Sequence, residues 1–214
     1  MNNKCKIIVF EGIDGAGKST QVKKLNDLLN GNGKKSIIMK GYDLFNGLKE
    51  TLYNRFNYID PIETFFITLA KHKAIEMQIK NILDSYDYII IDRFIYTTFA
   101  YTMANIKPEK RGEIHTISNI LENHFINIDY LIYIETSPQI AWKRKNNVIE
   151  DIETGNNSDK NTDTRTLFIN NQTSANKYYK LFFQNKTNLL KLSGEMDKDI
   201  LSDIIYRKVS SSIE

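Results

Sequence analysis

Eight residues near the start of the chain, Gly12-Ile13-Asp14-Gly15-Ala16-Gly17-Lys18-Ser19, fit the pattern G-x-x-x-x-G-K-[ST] in full. The spacing suits a ligand carrying several phosphates. Their dense negative charge is met by backbone N–H groups converging at a helix N-terminus, and side chains would block that approach, hence Gly12, Gly15 and Gly17. Lys18 supplies a point charge for the β- and γ-phosphates, Ser19 offers a hydroxyl to Mg2+, and Ile13, Asp14, Ala16 and Thr20 complete the loop wall. A plain glycine turn with a surface lysine is the bland alternative. The apolar run before the motif and the helical pattern after it favour the phosphate cradle. The motif leaves the reaction open, because GTPases, partition ATPases, transporters and kinases share it.

A second constellation is Asp92-Arg93, at the end of the apolar run Tyr88-Ile89-Ile90-Ile91. Ligands of open α/β sheets sit beyond the carboxyl ends of the strands. There Asp92 is expected to hold Mg2+ through water, and Arg93 to aim its planar fork of donors at a phosphate. The bland alternative is a helix cap followed by a solvated arginine.

These residues need a scaffold that brings strand ends together. Nearly continuous apolar runs at Lys6–Glu11, Ser36–Lys40, 86–92, Tyr130–Glu135 and 189–192 read as strands covered on both faces. Helical periods separate them. One spans 20–29, with Gly31 and Gly33 as stops; another runs from Pro61 to about residue 84; a third opens at Pro138. Strand and helix alternate, so the expected fold is α/β: a five-stranded parallel sheet flanked by helices, in a single domain over 1–214. The polar stretch 150–164 is the one compositional break, and a lid over about 147–172 is expected there.

Phe10-Glu11-Gly12-Ile13-Asp14-Gly15-Ala16-Gly17-Lys18-Ser19-Thr20 resembles the F-E-G-x-D-G-x-G-K-S/T-T segment of the thymidylate kinase family. The stretch from Asp92-Arg93 to Ala100-Tyr101 is similar to that family's D-R-[YH]-x-x-S-x-x-A-[YF]. The likeness spans nearly the whole chain. It implies a P-loop nucleoside monophosphate kinase that moves the γ-phosphoryl of ATP onto dTMP, with Mg2+, in dTTP biosynthesis, as a cytoplasmic homodimer. It also implies roles. Lys18, Asp92 and Arg93 would be catalytic. Asp14 would accept from the sugar 3′-hydroxyl, Arg93 and Lys40 would hold the acceptor phosphate, Tyr101 would crowd a 2′-hydroxyl, and Thr97 would lie near the base. Arg144 would lie against adenine, with the Ser193-Gly194 region at its edge.

The chain departs from the family in three places. The phenylalanine-x-x-x-arginine pair that holds thymine is met only by Phe66 and Lys71, one residue out of register and with lysine for arginine. An arginine-x-proline after the second strand is replaced by Lys40-Gly41-Tyr42, and the lid carries only Lys160 and Arg165 as cations. A kinase for another deoxynucleoside or deoxynucleotide therefore stays open, as does a nucleotide-binding regulatory subunit with weak turnover.

Composition agrees with this picture. The chain has 214 residues, of which 41% are hydrophobic, enough for a core. Its 29 basic and 26 acidic residues give a net charge of +3, without the basic excess of a dedicated nucleic-acid binder. One cysteine, Cys5, allows no internal disulfide, and no long apolar stretch follows a basic start, so neither a signal peptide nor a membrane span is expected.

Overall fold

Five strands pair side by side and in parallel: β1 (Lys6–Glu11), β2 (Ser36–Lys40), β3 (Tyr88–Asp92), β4 (Tyr130–Glu135) and β5 (Leu189–Ser193), in the order β2-β3-β1-β4-β5. The computed structural model describes residues 5–40, 60–146, 148–149, 151–155 and 162–211. Among the described residues six α-helices lie between strands, α1 (Lys18–Gly31), α2 (Pro61–Ile82), α3 (Ile95–Asn105), α4 (Arg111–Glu122), α5 (Pro138–Lys145) and α6 (Thr164–Phe183), and a seventh, α7 (Lys198–Ser210), follows β5. Parallel neighbours need crossovers, and the helices provide them.

The middle strands carry Ile8, Val9, Phe10, Ile89, Ile90, Ile91, Leu131 and Ile132, all fully buried. Their branched side chains are covered on both sides, which is why these segments lack polar alternation. Register then fixes the site. Phe10 pairs with Asp92, Lys40 with Asp92, and Glu11 with Tyr133, so Glu11, Lys40 and Asp92 end their strands at one edge of the sheet.

Two expectations shift. The third strand starts at Tyr88 rather than at residue 86, because the Asp87 carboxylate accepts the Lys35 N–H at 2.8 Å and holds that stretch in a turn. The first helix begins two residues earlier, at Lys18, directly on the phosphate loop. Within the stretch 147–172 expected as a lid, the residues from Thr164 lie in α6, whose first turn is capped by the Asp163 carboxylate accepting from Thr166 N–H at 3.1 Å. Phe168, Asn171 and Gln172 are buried on the same face of that helix as Ala175, Tyr178 and Tyr179.

Candidate active site

The loop between β1 and α1 turns through left-handed conformations at Gly15 (φ 76°) and Gly17 (φ 97°). A Cβ on Gly15 would stand 2.6 Å from the Ala141 carbonyl oxygen, so α5 packs too close to the loop for any side chain there. Lys18 is buried rather than facing solvent as a lysine over phosphates would. Its Nζ donates to the carbonyls of Gly12 (2.9 Å) and Ile13 (2.7 Å). Burial, followed by the neighbouring Arg93 charge, pushes its pKa down to about 7 against the pull of Asp14, Asp92 and Glu11.

Arg93 follows β3 at φ 69°, in a region that disfavours side chains. The turn is held by Arg93 N–H donating to Phe10 O (3.0 Å). From it the guanidinium reaches back across the sheet end. Nη1 donates to Gly12 O (3.0 Å), and Nη2 forms an ion pair with Asp14 Oδ1. Asp14 Oδ2 accepts from the Tyr101 hydroxyl at 2.7 Å. Burial raises the Asp14 pKa, but the Arg93 and Lys18 charges and the Tyr101 hydroxyl outweigh it and leave the carboxyl below its usual range.

Ser19 Oγ donates to Asp92 Oδ2 at 2.7 Å, and Asp92 Oδ1 is buried without a hydrogen-bond partner. A hydroxyl and a carboxylate with a spare oxygen, beside a phosphate cradle, fit Mg2+. That ion takes few protein ligands and completes its shell with phosphate and water. Arg144 closes the other side, its Nη2 donating to Gly194 O (2.7 Å) and its Nη1 to Ala16 O (3.4 Å). A cavity of about 910 Å3 opens over these groups, walled by Asp14 through Thr20, Asp92, Arg93 and Arg144.

The structure thus gathers the loop residues, Asp92, Arg93, Arg144 and Tyr101. Thr97 is half-buried. Its Oγ1 bonds the Glu11 carboxylate and the Tyr179 hydroxyl (2.8 Å). Phe66 and Lys71 do not share a face of their helix. Five residues apart, they sit about 140° apart around α2, and Phe66 is 54% exposed while Phe65 takes the core side. Arg165 is exposed on the first turn of α6 and takes no part in the cavity wall. Lys40 ends β2 level with Asp92, but its side chain, like all of Lys160, lies outside the described residues.

Sequence reasoning missed several groups. Glu11 is fully buried and accepts from Phe94 N–H (2.9 Å) and Thr97 N–H (3.3 Å), capping α3 from a neighbouring strand. Burial raises its pKa to about 6, against those hydrogen bonds and the charges of Arg93 and Lys18. A charged residue closing an otherwise apolar strand was the available signal. Gln172 had none. Its Oε1 accepts from Asp14 N–H (3.1 Å) and its Nε2 donates to Glu153 O (3.1 Å), tying the stretch 151–155 to the loop.

A parallel sheet, a glycine loop opening α1 and an Asp-Arg pair at the next strand end define a P-loop nucleotide-binding protein. A family model described as Thymidylate kinase matches residues 10–194. The chain belongs to the thymidylate kinase family. It is 32% identical over 142 residues to a thymidylate kinase of Prosthecochloris aestuarii, covering 64% of this chain and 63% of that protein. It is 28% identical over 148 residues to one of Thermoanaerobacter sp., covering 66% of this chain and 71% of that protein. The chain thus spans just under two thirds of the Prosthecochloris relative. A solved thymidylate kinase from Candida albicans shares the fold at a TM-score of 0.73 and 18% identity, over 98% of this chain and 92% of that one.

Proposed function

We propose that the chain transfers the γ-phosphoryl group of ATP to dTMP, giving ADP and dTDP for dTTP synthesis. The observation that carries this is the Arg93–Asp14 ion pair, which joins the end of β3 to the phosphate loop in the wall of one cavity. One end of that cavity suits a triphosphate. The other presents a guanidinium for a second phosphate and a carboxylate for a sugar hydroxyl.

Phosphoryl transfer needs in-line positioning and charge neutralisation rather than covalent help. In this reading the loop N–H groups and Lys18 hold the β- and γ-phosphates, and Arg144 lies against adenine. Arg93 and Lys40 hold the acceptor phosphate. Asp14 receives the 3′-hydroxyl, and Tyr101 fills the space of a 2′-hydroxyl. Ser19 and, through water, Asp92 would hold Mg2+, which when bound neutralises phosphate charge. The polar stretch ahead of Thr164 acts as the lid, within one kinase domain.

The same reading has the enzyme working in the cytoplasm as a homodimer. Among the described residues no helix is long and apolar enough to cross a membrane. The outer face of α2 exposes Glu63, Phe66, Ala70, Lys73, Met77 and Lys80. In an antiparallel pairing of two copies, Glu63 meets Lys80 and Phe66 meets Met77, so the stripe complements itself. Phe66 then belongs to a subunit contact rather than to the base.

The test is ADP release with ATP and Mg2+, offering dTMP, thymidine or no acceptor. Release that depends on dTMP supports the reading. Release with thymidine alone points to a nucleoside kinase, and release without acceptor to a hydrolase.

A further inference from the structure

We propose that Lys145, at the end of α5, is the cation that neutralises the migrating phosphoryl group. This rests on the transfer reaction just described. Among the described residues four other cations wall the cavity, and each has a different place. Lys18 donates to two carbonyls at the base of the loop. Arg93 bonds Asp14 and Gly12 and is assigned to the acceptor phosphate, and Arg144 bridges Ala16 and Gly194. Lys198 opens α7 and is exposed, and its carbonyl accepts from Gln21 Nε2 at 2.8 Å.

Lys145 differs from all of these. Its Nζ pairs with Glu153 Oε1 at 2.6 Å, with side-chain exposures of 23% and 9%. Asn146 ends the helix in a left-handed turn (φ 48°). Lys145 and Glu153 wall the same cavity as Asp14, Lys18 and Arg93, and the Lys145 charge helps to hold down the Asp14 carboxyl. Its partner is fixed from behind: the Glu153 carbonyl accepts from Asn171 Nδ2 (3.0 Å) and Gln172 Nε2 (3.1 Å). An ammonium on a four-carbon stem, held by one carboxylate, can turn to a stronger anion without moving the backbone.

In the step, an acceptor phosphate oxyanion attacks the γ-phosphorus as the bond to the β–γ bridging oxygen breaks. The electron pair leaves on the β-phosphate of ADP. No proton need be removed. Charge spreads over the three equatorial oxygens, and Lys145 leaves Glu153 to meet them.

The experiment compares Lys145→Ala and Lys145→Arg with the wild type, in steady-state kinetics and in binding of ADP plus aluminium fluoride with dTMP. In Lys145→Ala, kcat should fall about 100-fold or more while both KM values stay within about threefold. Lys145→Arg should restore most of the rate. The aluminium fluoride complex should weaken by a similar factor, with ADP and dTMP alone binding as before. A Lys145→Ala kcat within about threefold of wild type, or a loss confined to KM, overturns the proposal. So does loss in Lys160→Ala or Arg165→Ala with Lys145→Ala unaffected, which gives the role to a lid cation. No transfer by the wild type removes the reaction itself, and this inference with it.

Discussion

Arg93 and Asp14 form an ion pair across the end of the sheet, and Arg93 makes it from a left-handed backbone. The strained turn is what aims the guanidinium back at the loop. Replacing the arginine therefore separates chemistry from strain. Arg93→Gly and Arg93→Ala should both raise the KM for the acceptor at least about tenfold and lower kcat, with ATP affinity little changed. Arg93→Gly should be about 1 kcal/mol more stable than Arg93→Ala, because glycine accepts the positive φ freely. Chemical denaturation alongside kinetics checks both. Loss of ATP binding with acceptor binding intact would mean that the two sites are exchanged.

Glu11 gives a pH signature of stability. Its folded pKa, raised by burial to about 6, lies above the ordinary 4.5. Between those values the folded state binds more protons than the unfolded state, so stability falls as pH rises through the window and levels off above it. The cost at neutral pH is about 2 kcal/mol. Glu11→Gln keeps an oxygen for Phe94 N–H and should flatten that part of the curve. Urea melts at pH 4.5, 5.5 and 7 compare the two proteins. Identical slopes would remove Glu11 as the source.

Asp92→Asn keeps the size of the side chain and weakens its oxygen donor beside Ser19. The Mg2+ concentration for half-maximal activity should rise roughly 10- to 100-fold, with saturating Mg2+ recovering part of the rate. An unchanged Mg2+ titration would place the ion elsewhere.

Phe66→Glu together with Met77→Glu places like charges on the outer face of α2. If this stripe joins two copies, sedimentation should show the wild type as a dimer and the double variant as a monomer. Truncating a central apolar pair typically weakens an interface by about 2 kcal/mol or more, and adding charge should exceed that. A double variant that stays dimeric would locate the interface on another face.

The strands and the phosphate loop were legible because their signals are local: continuous branched residues, and glycines at fixed spacing. The networks around them were not. Thr97 matches a position expected beside the base, yet its hydroxyl is taken by Glu11 and Tyr179, partners that lie far away in sequence. Helix α6 carries Asn170-Asn171-Gln172-Thr173-Ser174 in its middle, and that polarity hides a buried face running through Phe168, Ala175 and Phe182. The orientation of Phe66 was not legible because adjacent phenylalanines point to different sides of a helix, and only packing decides that Phe65 faces the core. Lys145 carries no such local signal, because it closes a helix and meets Glu153 only across the residues that follow.

The central claim is that phosphate, not a hydroxyl, is the acceptor, and phosphorus-31 NMR of the protein with ATP, Mg2+ and dTMP tests it most directly. The account predicts loss of the dTMP signal and growth of the α and β resonances of dTDP, in step with ADP. Thymidine in place of dTMP should remain unphosphorylated. A dTMP signal that persists while thymidine is converted to dTMP, or ADP and free phosphate appearing with dTMP untouched, would contradict it.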